Sequence, residues 1–187
     1  MKKVIISGAS GFIGQALAEA LLADGVEVYG LCATPEKLGE LKKNPHFHLI
    51  QIEFQEYEQL AQKVSERDFD VFFHFAWQGY GKATNDYRVQ ISNIKYTCDA
   101  AYGAIELRCK RFVFADSSHE YLKCPNTNGV VKECSVYGSA KKSARQISQV
   151  VLHRNGVEFV GVLLTNIFCE GDRSGRSTNT MLKQLMR

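Results

Sequence analysis

Residues 4–14 read Val4-Ile5-Ile6-Ser7-Gly8-Ala9-Ser10-Gly11-Phe12-Ile13-Gly14. A short apolar strand runs into a turn spaced by Gly8, Gly11 and Gly14, and a helix-forming stretch follows. Glycine permits the positive φ of a tight turn. The free N–H groups that open the helix, together with the positive end of its dipole, then face an anion. Gly8 suits the turn, Gly11 lets backbone approach a diphosphate, and Gly14 lets the helix pack on the sheet. The spacing is a variant of the Gly-x-Gly-x-x-Gly dinucleotide fingerprint, with Ser10 inside it. The chain therefore begins by building a pocket for a dinucleotide.

Outward from this turn, short apolar runs alternate with longer amphipathic stretches. Strands are expected at Lys3–Ser7, Glu27–Cys32, His48–Glu53, Asp70–Phe75, Arg111–Asp116 and Glu158–Leu164. Helices are expected at Gly11–Ala23, Pro35–Lys42, Tyr57–Ser65, Asn85–Ile105 and Tyr137–Asn155, with one more starting in Thr178–Met186. Asp24-Gly25 and Asn155-Gly156 supply glycines where helices often stop. Cys124–Val130 reads as an exposed loop. Strands alternating with helices imply an α/β doubly wound parallel sheet with helices on both faces. Continuously apolar strands such as Val71-Phe72-Phe73 fit burial on both sides. Ligands of such sheets bind at the carboxyl ends of the strands, so residues there carry the functional weight.

Composition narrows the classes. Of 187 residues 45% are hydrophobic and 11% aromatic, enough for one well-packed domain. A formal charge of +3 is too mild for a nucleic-acid partner or an anionic membrane surface. No apolar run reaches the roughly 20 residues of a membrane span. Met1-Lys2-Lys3 precedes apolar residues, but Gly8 interrupts them and no signal-peptide cleavage pattern follows. The six scattered cysteines form no Cys-x-x-Cys pair and read as reduced thiols of a cytoplasmic protein. His46 and His48 have no further ligand set nearby, so no metal is expected.

Two more segments carry chemistry. In Tyr137-Gly138-Ser139-Ala140-Lys141 the tyrosine and lysine share a helix face. A phenol has a reference pKa of about 10, too high for a base at neutral pH, and a nearby ammonium lowers it. Asp116-Ser117-Ser118 follows the fifth apolar strand and offers a hydroxyl to a substrate oxygen.

The order of these three elements resembles the short-chain dehydrogenase/reductase superfamily, specifically its extended branch, the NAD-dependent epimerase/dehydratase family. The resemblance covers essentially the whole chain and implies a Rossmann-like fold. It implies catalytic roles for Tyr137, Lys141 and Ser117, with Ser118 the alternative one register on, and a supporting role for Asn93. It implies cofactor contacts from Gly8, Ser10, Gly11, Phe12, Ile13 and Gly14, from Cys32 at the end of the second strand, and from Glu53-Phe54 near the adenine. Phe75 and Ala76, in His74-Phe75-Ala76, lie beside the cofactor in the same scheme, and Tyr137 and Lys141 also meet it. Thr165-Asn166-Ile167-Phe168 resembles the segment leading to the substrate region, with Cys169 in place of the family's glycine.

By this resemblance the chain is an NAD(P)-dependent epimerase, dehydratase or reductase acting on a nucleotide sugar and dimerising through its two long helices. A second possibility is a non-catalytic dinucleotide-binding or interaction module. Leu31-Cys32-Ala33-Thr34 is neither acidic nor basic and Lys37 is within reach of a phosphate, so NAD and NADP both remain open. Residues 1–170 are expected to form the dinucleotide-binding domain. Gly171-Asp172-Arg173 resembles the start of a substrate-binding region that would occupy 171–187 and be largely missing. Arg173 and Arg176 are candidates there to face a substrate phosphate.

Overall fold

The computed structural model describes residues 1–121, 123–127, 130–133, 135–165 and 167, with backbone alone over 123–127 and 130–133. Six strands form one parallel sheet: β1 (Lys3–Ser7), β2 (Glu27–Cys32), β3 (Phe47–Gln51), β4 (Val71–His74), β5 (Arg111–Ser117) and, last in the chain, β8 (Glu158–Leu164). Their spatial order is β3-β2-β1-β4-β5-β8. The chain winds outward from β1 in one direction, then returns to its other side at β4. The carboxyl ends of β1 and β4 therefore flank the crevice where such sheets bind ligands.

Period-two alternation divides each strand between two cores. Ile5, Phe72, Phe112 and Phe114 face α3 (Tyr87–Glu106) and α4 (Val136–Arg154), packing on Ala100, Ala104, Ala144 and Leu152. Val4, Ile6, Val28 and Val113 face the other way, onto Ala18, Leu21 and Leu22 of α1 (Phe12–Ala23). Small alanines on α3 and α4 let those helices lie close to a layer of phenylalanines.

Helix ends follow local chemistry. Asp86 caps α3 by accepting from the Arg88 N–H at 3.0 Å, and Ser135 caps α4 by accepting from Gly138 N–H at 3.0 Å. Two expected helices differ. Residues Pro35–Lys43 form 3-10 turns broken at Gly39, whose φ is 53°. The expected helix at Tyr57–Ser65 begins earlier as a 3-10 segment over Phe54–Gln59 and is α-helical only over α2 (Leu60–Lys63). Of the expected loop at Cys124–Val130, residues 124–127 and Val130 belong instead to an antiparallel pair, β6 (Lys123–Thr127) with β7 (Val130–Glu133). A polar hairpin is held by backbone pairing and shows no apolar alternation. The signal overlooked was Asn128-Gly129 between paired Thr127 and Val130, a strong hairpin cue. The expected helix at Thr178–Met186 lies outside the described residues.

His46 and His48 both engage Glu27, through Nδ1 and Nε2 respectively, each at 2.6 Å. Among the described residues Cys32, Cys98 and Cys109 are free thiols. No helix there is long and apolar enough to cross a membrane.

One polar knot ties β1, β4 and α3. His74 is buried, its Nδ1 2.8 Å from Ser7 Oγ and its Nε2 3.1 Å from Thr97 Oγ1. Burial, with the nearby Lys141 charge, holds its imidazole down at about 3, so it stays neutral in the native state. The unfolded chain binds this proton near 6.5. Stability from this group is therefore full above pH 6.5 and is lost as pH falls toward 3, by at most about 1.4 kcal/mol per pH unit. A His74→Gln variant lacks the titration. The Tm gap between wild type and variant, followed by calorimetry, is expected to narrow steadily from pH 7 to pH 5.

Candidate active site

Gly8 takes φ 73° at the end of β1, and a Cβ there would lie 2.9 Å from the Ala76 backbone nitrogen. Only glycine allows β1 to end so close to the segment after β4. A Cβ on Gly14 would lie 2.2 Å from the Gly8 carbonyl oxygen, so α1 too sits tight against the turn. Gly11 N–H donates to Gly8 O at 2.9 Å and closes the turn. Gly11 is also the N-cap of α1, with no side-chain cap and no acidic residue in the first turn. The first amides of α1, including those of Phe12 and Ile13, are thereby left for an anion.

Beside this turn lies a cavity of about 330 Å³, lined among others by Gly8, Ser10, Cys32, Phe54, Phe75 and Ala76. A second, of about 230 Å³, is walled by Ile13, Ser117, Tyr137 and Lys141. Phe75 and Trp77 line both, so the two adjoin. An uncapped helix start, a turn that a Cβ would obstruct and two adjoining cavities together fit a dinucleotide.

The expected residues differ in how they meet these cavities. Tyr137 and Lys141, one turn apart on α4, are both buried. Lys141 Nζ donates to Ala115 O at 2.8 Å and lies 4.0 Å from the Trp77 ring centroid and 4.6 Å from that of Phe114. The Tyr137 ring meets Trp77, Tyr80 and His119 at centroid distances of 5.8, 5.3 and 5.5 Å. A Cβ on Gly138 would lie 2.4 Å from His119 O, so this glycine lets α4 close on the segment after β5. Ser117 ends β5 at the cavity wall, its Oγ accepting from the His119 N–H at 3.3 Å, while Ser118 begins the 3-10 turn Ser118–Glu120.

Asn93 is buried and clamps the chain after β4. Its Nδ2 donates to Gln78 O at 2.9 Å and its Oδ1 accepts from Gln78 N–H at 2.9 Å. Its position is behind the cavity wall rather than in it. Glu53 forms a reciprocal capping box with Glu56, so its carboxylate serves the backbone and only Phe54 of this pair lines the cavity. Thr165 and Ile167 line the second cavity; Asn166, Phe168, Cys169, Gly171-Asp172-Arg173 and Arg176 lie outside the described residues.

Sequence reasoning missed the electrostatic support of Lys141. Glu120 and Asp116 are buried beneath it, and Arg145 Nε reaches Glu120 Oε2 at 3.0 Å and Asp116 Oδ1 at 3.5 Å. Gly161 makes room, since a Cβ there would lie 2.3 Å from Asp116 Oδ2. Burial and the adjacent Glu120 push the Asp116 carboxyl up. Burial brings the Lys141 ammonium down to about 7, against the opposing pull of Glu120 and then Asp116. Two signals were available: Arg145 follows Lys141 by one helical turn, and Ser117-x-x-Glu120 is a capping-box pattern.

The family model described as the NAD dependent epimerase/dehydratase family matches residues 4–187, and the chain belongs to that family. An uncharacterized protein of Methanocaldococcus jannaschii is 24% identical over 190 residues, covering 92% of this chain and 58% of that one. A UDP-glucuronate 4-epimerase of Thermodesulfobacterium geofontis is 24% identical over 194 residues, with 96% and 60% covered. Among solved structures, UDP-glucuronic acid 4-epimerase from Bacillus cereus in complex with NAD superposes with a TM-score of 0.77 at 21% identity, over 98% of this chain and 62% of that one. The dTDP-glucose 4,6-dehydratase DesIV from Streptomyces venezuelae, with NAD and TYD bound, gives 0.80 at 16%, again over 98% and 62%. At these identities the structural likeness establishes the fold, and this chain spans less than two thirds of each of these proteins.

Removing the Glu120 charge takes away the first of the two attractions that hold the proton on Lys141. In wild type, carbon-13 NMR of labelled lysines is expected to show one lysine titrating near 7. In Glu120→Gln the same resonance is expected to titrate lower, by about one unit.

Proposed function

We propose that this chain binds a nicotinamide dinucleotide across the two adjoining cavities and belongs to an epimerase, dehydratase or reductase acting on a nucleotide sugar. The observation that carries the reading is the convergence of Tyr137, Lys141 and Ser117 on one cavity that adjoins the glycine turn. The substrate class is supported by the printed functions of the relatives. In this reading residues 1–170 are the dinucleotide-binding domain, and the protein works in the cytoplasm.

The bound nicotinamide would accept a hydride from a sugar carbon or deliver one to it. The chain's part is proton movement and charge placement. Tyr137, as phenolate, takes the proton of the sugar hydroxyl at the carbon being oxidised, and returns it in the reverse direction. Lys141, one turn away, favours the phenolate over the phenol when it carries its proton. Ser117 hydrogen-bonds the oxygen on which charge changes. Asn93 acts through the Gln78 backbone, holding the segment that carries Trp77. Trp77 and Phe114 exclude water from the Lys141 ammonium.

The exposed Ile91 and Tyr102 of α3 and Ile147 and Val150 of α4 support a homodimer through these two helices. Light scattering is expected to give the dimer mass, with Ile147→Glu shifting the protein toward monomer. For the chemistry, Tyr137→Phe is expected to keep dinucleotide affinity and lower turnover of a nucleotide sugar by about a hundredfold or more. Turnover at the wild-type rate would reject the mechanism. Tight dinucleotide binding without hydride transfer from any nucleotide sugar would favour a binding module instead.

A further inference from the structure

The wall of the first cavity at the end of β2 has an unusual charge. In dinucleotide sites of this fold an acidic residue about 20 positions beyond the glycine turn accepts hydrogen bonds from the adenosine ribose diol, and a basic residue nearby accommodates a 2′-phosphate instead. Here the cavity lining in that region is Leu31, Cys32, Ala33, Thr34 and Lys37, facing Ser10 of the glycine turn. It contains no Asp or Glu. Glu53, the acidic residue that the family resemblance sets near the adenine, is held in its capping box with Glu56 and is not part of the lining.

Lys37 is held in place by its own backbone. Its N–H donates to Thr34 O at 3.1 Å, and its carbonyl accepts from Gln15 Nε2 of α1. The loop after β2 is thus tied to the helix whose N-terminus faces the same cavity. The Lys37 ammonium has no carboxylate partner among the described residues; Glu36, beside it, is exposed and outside the lining, and Glu40 is paired with Lys43. Thr34 is the N-cap of the Pro35–Lys43 segment, yet its side chain makes no cap hydrogen bond there. Two hydroxyls and one cation therefore border a cavity wall that lacks the carboxylate a ribose diol would use.

Resting on the dinucleotide-binding reading above, we propose that this corner is a 2′-phosphate subsite, formed by Ser10, Thr34 and Lys37, and that the chain prefers NADP(H) to NAD(H). The hydroxyls donate to phosphate oxygens and the ammonium neutralises charge that an acidic residue at the end of β2 would repel.

The test is binding, independent of any sugar substrate. NADPH and NADH are titrated into the intact chain and followed by nicotinamide fluorescence, with 2′,5′-ADP and 5′-ADP as competitors. NADPH is expected to bind at least about tenfold tighter than NADH, with 2′,5′-ADP the better competitor and the margin shrinking with added salt. Lys37→Glu, at an exposed position of the 3-10 turns after β2, is expected to reverse the order, with circular dichroism and Tm unchanged. Equal or tighter NADH binding, or a Lys37→Glu variant with the wild-type ratio, overturns the subsite and leaves the dinucleotide reading standing. Failure of both dinucleotides to bind overturns both.

Discussion

The structure depends on how closely β1 and β4 end beside each other. Phe75 N–H donates to Ser7 O at 3.2 Å, Ala76 N–H to Ser7 Oγ at 3.3 Å, and a side chain at Gly8 would strike Ala76. This contact joins the two halves of the sheet at the point where its winding reverses. It opens the crevice on one side and seals the core on the other. His74 completes it by connecting Ser7 to Thr97 of α3. A neutral, doubly bonded imidazole satisfies buried polar groups that would otherwise carry a desolvation penalty.

A second constraint is the burial of Lys141. An ammonium in an aromatic enclosure costs free energy, which the Trp77 and Phe114 faces, the Ala115 carbonyl and the Glu120–Asp116 pair offset. Arg145 keeps that acidic pair from being a net excess of buried negative charge. Four ionisable groups from β5, the turn after it and α4 thus depend on one another.

The glycine turn, the strands and the long helices were legible because they rest on local rules: period-two and helical patterning, glycine at a forced turn, Ser or Asp at helix starts. The boundaries slipped where competing local structures have similar cost, as at Gly39 and at the Glu53–Glu56 capping box. The β6–β7 hairpin was misread because its stability lies in backbone bonds that leave no apolar pattern.

By itself the sequence determined the parallel α/β sheet, the glycine-spaced turn after its first strand and the placing of Tyr137 and Lys141 one turn apart on a helix, since each follows from spacing within one element or between neighbours. Only the tertiary structure decided that Glu120, Asp116 and Arg145 set the charge around Lys141. Only it decided that Asn93 works from behind the wall and that Glu53 is withdrawn while Lys37 borders the cavity. These outcomes depend on distances between side chains far apart in the chain and on how much water reaches them, and neither is encoded in local spacing.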